Sequence, residues 1–520
     1  MVYNGSTLNM EKKLKILIAS SEAVPFVKTG GLADMVSALA MSLSKKGHDV
    51  RLVLPRYYMI NKTELGLEAL EGPMGVYSGG AEEWTEVYRS VLPGKSGKNK
   101  VEVYFIDHEK FFGRDGVYGV PSEPDFLDNP KRFTLFCRGV FQLCRKTNWY
   151  PDILHAHDWP CALVPVFLKF GEKQAGFSKT VSALTIHNLG YQGIYSMDNI
   201  YATGLGWDTF YSAGFEDWNM MNILKAGICS ADVINTVSER YAEETKTQSY
   251  GFRLDSILRS RAADYRGILN GIDTDIWNPE KDKLIPEAYS QKNMAGKAKA
   301  KEALQKEFGL PISPDIPVIG LISRLTGQKG VGELFGPAYG SAFPICRDMN
   351  IQFVVLGTGE SWCENEIRCL QEKLPNFRAK ISYDEKLSHL IEAGSDFFLM
   401  PSRYEPSGLN QMYSLVYGTI PIVRSTGGLA DTVENFNQET GTGTCFMFDD
   451  LTPQAIYNTV GWAVWAYYNR RELIEGMRIN GMKKDFSWNK SAAKYIAMYE
   501  ETQKKIFGKY EAQRETHNGY

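Results

Sequence analysis

Four short stretches place charged side chains and glycine turns directly behind apolar, β-branched runs, and each points to a piece of chemistry. In Arg324-Leu325-Thr326-Gly327-Gln328-Lys329-Gly330, a guanidinium and an ammonium follow the run 316–323. A guanidinium grips phosphate oxygens in pairs and a lysine adds a point charge. Together they suit a diphosphate, with Gly327 and Gly330 permitting close approach. In Pro401-Ser402-Arg403-Tyr404-Glu405-Pro406-Ser407-Gly408-Leu409-Asn410, a carboxylate stands where the run 395–402 ends. It is placed for chemistry or for holding sugar hydroxyls. Gly408, Leu409 and Asn410 would offer the first N–H groups of a helix to a phosphate. The competing structural reading makes Glu405 only a helix-start charge.

The third stretch is Lys28-Thr29-Gly30-Gly31-Leu32. It replaces the G-x-G-x-x-G fingerprint of dinucleotide sites. Paired glycines at a helix N-terminus expose backbone N–H groups to an anion, and Lys28 adds a full charge. A plain turn with a solvated lysine is the structural alternative. The fourth is His155-Ala156-His157-Asp158-Trp159, followed later by His187-Asn188. Two histidines at i, i+2 share a strand face, but no third ligand pattern accompanies them, so a metal is not expected. Asp158 beside Trp159 reads as a carboxylate next to an aromatic platform, which suits a sugar.

The elements that must hold these groups follow from periodicity. Apolar strand-like runs occur at 14–20, 49–55, 102–107, 152–157, 182–187 and 231–238. A second series occupies 316–323, 351–357, 395–402 and 419–425. Helix-like segments separate them, including 35–46 and an amphipathic tail at 488–509. Strand–helix alternation predicts parallel sheets with right-handed crossovers. Two series predict an α/β chain of two doubly wound, Rossmann-like domains. Residues 1–275 form the first, 276–489 the second, and 490–520 a C-terminal helix that crosses back to the first. The linker is placed near 271–285. Thr29-Gly30-Gly31-Leu32-Ala33-Asp34 recurs as Thr426-Gly427-Gly428-Leu429-Ala430-Asp431, as though one glycine turn served each half.

Composition narrows the classes. The net charge of −3 shows no basic excess, so neither nucleic acid nor a membrane surface is an expected partner. No apolar run approaches the ~20 residues of a membrane helix, and the polar start does not read as a signal peptide. Eight cysteines without a CxxC pair read as free, mostly buried thiols in a reducing compartment, and zinc is unsupported. A cytoplasmic location is expected, or a plastid stroma or starch granule in a photosynthetic source. The sequence does not set an oligomeric state.

KTGGLAD, HAHDW, TIHNLGYQG, ILNGIDTDIWNP, SRLTGQKG, LGTGE, PSRYEPSGLNQ and STGGLADTV occur in that order. The chain thereby resembles bacterial glycogen synthases and plant starch synthases, the glucan 4-α-glucosyltransferases of glycosyltransferase family five. The resemblance runs from about Leu14 to Ala497. It implies a glycosyltransferase-B fold with an interdomain cleft, the first domain binding the acceptor and the second the nucleotide sugar. It implies retaining transfer of glucose from ADP-glucose to the non-reducing 4-OH of an α-1,4-glucan such as glycogen, amylose or a malto-oligosaccharide, with no cofactor and no metal. The implied catalytic residues are Glu405, Asp158, His187, Lys329 and Arg324. The implied substrate and nucleotide residues are Lys28, Gly30, Gly31, Asp34, Asn270, Gln328, Tyr383, Gly408, Leu409, Asn410 and Thr426, with Tyr383 at the family's adenine-packing position.

The chain departs from the commoner family spelling at Tyr404, Ser407 and Asn410. Some related retaining transferases carry a second Glu where this chain has Tyr413, so Glu405 alone would act at this motif. A sucrose- or trehalose-type transferase is the alternative enzyme, and the KTGGL and STGGL pair argues against it. A silent glucan-binding protein is the alternative class, and retention of Lys28, Arg324, Lys329 and Glu405 argues against that.

Overall fold

Runs of apolar residues with no polar alternation fit strands buried on both faces, and the chain uses them in that way. The computed structural model describes residues 13–92 and 100–517, with side chains to residue 508, so the polar start read as lacking a signal peptide lies outside the described residues. In chain order the first strands are β1 (Lys15–Ala19), β2 (Asp49–Pro55), β3 (Glu68–Ala69), β4 (Met74–Ser78), β5 (Ala81–Leu92) and β6 (Val101–Asp107). There follow β7 (Ile153–His157), β8 (Val181–Ile186), β9 (Ile194–Ser196), β10 (Glu216–Asp217), β11 (Met220–Asn222), β12 (Val233–Thr236) and β13 (Tyr265–Gly267). One ten-stranded sheet has the order β13-β12-β8-β7-β1-β2-β6-β5-β3, with β4 on β5, and β9–β11 form a small separate sheet. The strands from β12 to β6 pair in parallel, as the alternation predicted.

Sequence reading did not anticipate the antiparallel edge β3–β5. The strand β5 reads Ala-Glu-Glu-Trp-Thr-Glu-Val-Tyr, with charged side chains on its open face, so no apolar run announces it.

The later strands are β14 (Val318–Ile322), β15 (Gln352–Leu356), β16 (Phe377–Lys380), β17 (Phe397–Met400), β18 (Ile420–Arg424) and β19 (Phe446–Phe448). They form one parallel sheet in the order β16-β15-β14-β17-β18-β19. Its core includes Ile319, Phe353, Val355, Phe397, Leu399 and Ile422, all essentially inaccessible.

The chain divides into two compact units, and their limits differ from the domain limits read from sequence. The first takes the chain up to Thr236, then Gly251–Arg266 and the segment from Asn489 on, and the second takes Val237–Tyr250 and Gly267–Trp488. Residues 267–275 join the second unit because Ile272 bridges to Ser487, and a Cβ at Gly271 would lie 2.8 Å from the Trp488 nitrogen. The expected linker is fastened there too. Trp277 stacks between His389 and Tyr413 at centroid distances of 3.9 and 3.8 Å, and Asp282 accepts hydrogen bonds from His389 and the Tyr417 hydroxyl at 2.7 and 2.6 Å. The C-terminal helix Trp488–His517 buries Tyr495 and Tyr499, and the Tyr499 hydroxyl lies 2.8 Å from His155 Nδ1 at the centre of the first sheet.

Each sheet has a topological switch point. The chain leaves β1 toward β2 on one side and returns to β7 on the other. It leaves β14 toward β15 and returns to β17. In open α/β sheets, ligands bind beyond the carboxyl ends of the strands at such points.

Candidate functional site

In the second unit, the loops after β14 and β17 interlock at the switch point. Arg403 donates its backbone N–H to the Gln328 carbonyl at 2.8 Å, and Gln328 Nε2 donates to the Tyr404 carbonyl at 3.4 Å. Gly330 has φ +71°, and a Cβ there would lie 1.9 Å from the Pro401 carbonyl oxygen, so only glycine allows this approach. The interlock sets Lys329 Nζ 2.5 Å from Glu405 Oε2, which also accepts the Ser402 hydroxyl at 3.0 Å. The Glu405 side chain is 7% accessible and that of Lys329 19%, so the ammonium keeps a face to solvent. Arg324 is exposed, with Nη2 3.4 Å from Gln328 Oε1. Asn410 Nδ2 donates to the Ile322 carbonyl at 3.3 Å, which ties the helix Asn410–Val416 to the end of β14. Thr426 and Gly427 follow the neighbouring strand β18, and Gly428 donates its N–H to the Glu405 carbonyl at 3.0 Å.

The two glycine turns are alike in what they hold. Glu22 accepts from the Thr29 N–H, from the Thr29 hydroxyl at 2.6 Å and from the Gly30 N–H at 3.2 Å. Glu244 accepts from the Thr426 hydroxyl at 3.1 Å and the Gly427 N–H at 3.0 Å. At each turn, backbone and hydroxyl donors are thus met by a carboxylate of the chain itself. The Glu22 carboxylate also takes up N–H groups at the first helix end. That helix, Gly31–Lys45, accordingly starts four residues before the sequence reading of 35–46. Lys28 Nζ pairs with Asp34 at 2.9 Å with both side chains well exposed, an interaction of little strength. A Cβ at Gly30 would meet nothing within 4 Å, so this glycine leaves open room beside the turn.

At the first switch point, Asp158 follows β7 and His187 follows β8, the strand next to it. Asp158 takes φ +55° and accepts the backbone N–H groups of His187 and Asn188 at 2.7 and 3.4 Å. Burial raises its carboxyl to about 7 against those two amides, with the Glu22 charge adding to the rise. Burial lowers His155 and His187 to about 3 and holds His157 well below the usual range, so all three rings are neutral. His157 Nδ1 lies 2.9 Å from His187 Nε2, and His155 is engaged by Thr185 and Tyr499. Among the described residues, no group of three or more His, Cys, Asp or Glu is placed to hold a metal.

One expectation changes. Trp159 is no exposed platform: it is 7% accessible, packs edge-on against Phe133 at 5.0 Å and touches Tyr118 and Tyr195. Tyr383 is 77% exposed in the loop after β16, two strands from β14. Asn270 is buried beside Gly271, with Oδ1 lacking a partner among the described residues. Sequence reasoning missed Glu22, Glu244 and Ser402 as partners. Glu22 stands three residues behind β1 and was legible from that position. Glu244 gave no signal, lying 182 residues from Thr426. All eight cysteines are free, with Cys369 exposed and Cys229 partly so.

Two Rossmann-like units with charged groups at their switch points make a glycosyltransferase of the B-type fold. Residues 15–260 match the family model described as starch synthase catalytic domain, and residues 304–464 match glycosyl transferases group 1. The chain is 58% identical over 486 residues to a glycogen synthase of Treponema denticola, covering 94% of this chain and 98% of that one. It is 44% identical to glycogen synthase 1 of Geobacter metallireducens, covering 97% and 99%. The catalytic domain of starch synthase IV from Arabidopsis thaliana, bound to ADP and acarbose, aligns with a TM-score of 0.86 at 31% identity, covering 95% of this chain and all of that one. A sucrose-phosphate synthase from Thermosynechococcus elongatus, at 15% identity and a TM-score of 0.57, shares the fold alone. The chain belongs to the glycogen and starch synthase family.

Proposed function

We propose that this enzyme transfers glucose from ADP-glucose to the non-reducing 4-OH of an α-1,4-glucan with retention at the anomeric carbon. The observation that carries the reading is the Lys329–Glu405 pair at the second switch point, with Arg324 exposed beside it. An ammonium already paired with a carboxylate can turn to an incoming phosphate. The carboxylate oxygen it gives up is then free to accept a sugar hydroxyl.

Transfer creates positive character at the anomeric carbon and negative charge on the departing diphosphate. Lys329 and Arg324 would stabilise the second, and Lys28 with the open turn at Gly30 would serve phosphate in the same way. Glu405 would hold donor hydroxyls, and Asp158 and His187 would orient the glucose. No protein nucleophile is required if the leaving phosphate takes the acceptor proton as the new bond forms on the same face. The first unit is assigned to the acceptor and the second to the nucleotide sugar. The ADP held by the starch synthase neighbour supports adenine as the base, and Tyr383, accessible for stacking, is its proposed platform. Initial rates of nucleoside diphosphate release, with and without glycogen and with ADP-glucose (releasing ADP) against UDP-glucose (releasing UDP), test the reading. Glucan-dependent release that favours ADP-glucose is expected, and release indifferent to glucan contradicts it.

A further inference from the structure

The histidines near the first switch point form two hydrogen-bonded sets whose proton positions can be worked out. The Thr185 hydroxyl donates to Asn235 Oδ1 at 2.7 Å. It must therefore accept from His155 Nε2, 2.6 Å away, so His155 carries its proton on Nε2. His155 Nδ1 is then an acceptor for the Tyr499 hydroxyl at 2.8 Å. The His155 ring, clamped from the C-terminal helix, lies 4.2 Å from the His157 ring and holds it in place.

His157 and His187 share one hydrogen bond, Nδ1 to Nε2 at 2.9 Å. Burial keeps both rings neutral, so each carries a single N–H. Only two arrangements exist. If His187 donates from Nε2, the proton of His157 must sit on its Nε2, which is buried with no partner among the described residues. An orphaned buried N–H is the rarer and costlier outcome. If His157 donates from Nδ1, its Nε2 is left as a bare lone pair, and His187 carries its proton on Nδ1. His187 is itself partly exposed, and its Nδ1 has no hydrogen-bond partner among the described residues. That N–H is available to a ligand.

We infer that His157 is a positioning residue that fixes His187 as the Nδ1–H tautomer, so that His187 presents a hydrogen-bond donor, and not an acceptor, to a hydroxyl of the sugar. The inference rests on the glucosyl-transfer reading for the identity of the ligand but not for the tautomer. The other titratable groups facing His187 are His155 and Asp158, with Glu22 beyond Asp158.

The test is long-range proton–nitrogen correlation on the full chain labelled with ¹⁵N-histidine, with the His187 signals identified by their loss in His187→Gln. A protonated Nδ1 and bare Nε2 on His187 are expected, and a protonated Nε2 would overturn the inference. In His157→Leu the lock is gone. His187 should then show both tautomers, and kcat should fall about tenfold or more. His157→Asn, whose amide N–H occupies the place of Nδ1–H, should restore the single tautomer and most of kcat. An unchanged His187 spectrum in His157→Leu would also overturn the inference. If His157→Leu fails to fold, the wild-type and His157→Asn spectra decide alone. A wild-type chain with the expected tautomer but no glucosyl transfer would sink the functional reading and leave this one standing.

Discussion

Lys329 Nζ lies 2.5 Å from Glu405 Oε2, across the point where the second sheet reverses its strand order between β14 and β17. A cation proposed for the diphosphate and a carboxylate proposed for the sugar are thus partners of one another. Each offsets the desolvation of the other, and a bound phosphate would compete with Glu405 for the same ammonium.

Glu405→Gln should lower kcat by about a hundredfold or more, because a carboxylate that strengthens its hold in the transition state acts mainly there. Affinity for ADP should stay the same or tighten, since the substitution releases Lys329. Calorimetric titration of ADP checks this, and a loss of ADP affinity as large as the loss in turnover would place Glu405 elsewhere.

Lys329→Met should destabilise the fold by about 1–3 kcal/mol, because it leaves a buried carboxylate with Ser402 as its remaining side-chain donor among the described residues. Adding Glu405→Gln should return part of that loss. A double-mutant cycle in urea measures the coupling, and strictly additive losses would show that the pair contributes nothing.

The central parallel strands were legible because strands buried on both faces leave unbroken apolar runs, whereas the short parallel edge strands β16 and β19 were too brief to announce themselves. The edge strand β5 was not legible, since half its side chains meet water and read as a polar segment. The site residues at strand ends were legible for the same reason as the strands. Their partners were harder to read. Glu244 reaches Thr426 and Gly427 only through the tertiary fold, and Trp277 acquires meaning only once His389 and Tyr413 close on it from two helices. Trp159 misled because an aromatic residue at a strand end can face a ligand or the core, and the choice was made by Phe133 on a distant helix.

Tyr383→Ala should leave stability within about 0.5 kcal/mol, because the ring is 77% exposed. It should weaken ADP-glucose about fivefold, the loss of roughly 1 kcal/mol of stacking, and narrow the preference over UDP-glucose. Unaltered kcat/KM for both donors would remove Tyr383 from the adenine site.

Asp158 gives stability a pH dependence of defined sign. Its folded pKa of about 7, above the ordinary 3.8, means that the folded state keeps a proton the unfolded chain has lost. Stability from this group is present below 3.8, declines as pH rises through the interval and is gone above about 7. Asp158→Asn keeps the acceptor for the His187 amide and removes the titration. Relative to wild type it should gain about 4 kcal/mol between the acid and alkaline ends of that window. Urea unfolding across the window checks it, and a relative loss on the alkaline side would contradict it.

Chelation by EDTA should leave activity almost unchanged, because lysine and arginine charges are proposed to neutralise the leaving group. The Asp-x-Asp pair in the chain is Asp273-Thr274-Asp275, and Asp273 already accepts the Asp275 N–H at 2.8 Å in a local turn. Activity abolished by EDTA and restored by Mg²⁺ or Mn²⁺ would overturn the charge assignment.

The most direct test of retaining glucosyl transfer is the anomeric signal of the product. ADP-glucose labelled with ¹³C at the anomeric carbon should be mixed with a malto-oligosaccharide and followed by NMR. New α-1,4-linked signal at the non-reducing end, appearing in step with ADP, is the predicted result. A β-linked product, or ADP release with free glucose and no chain growth, would contradict the account.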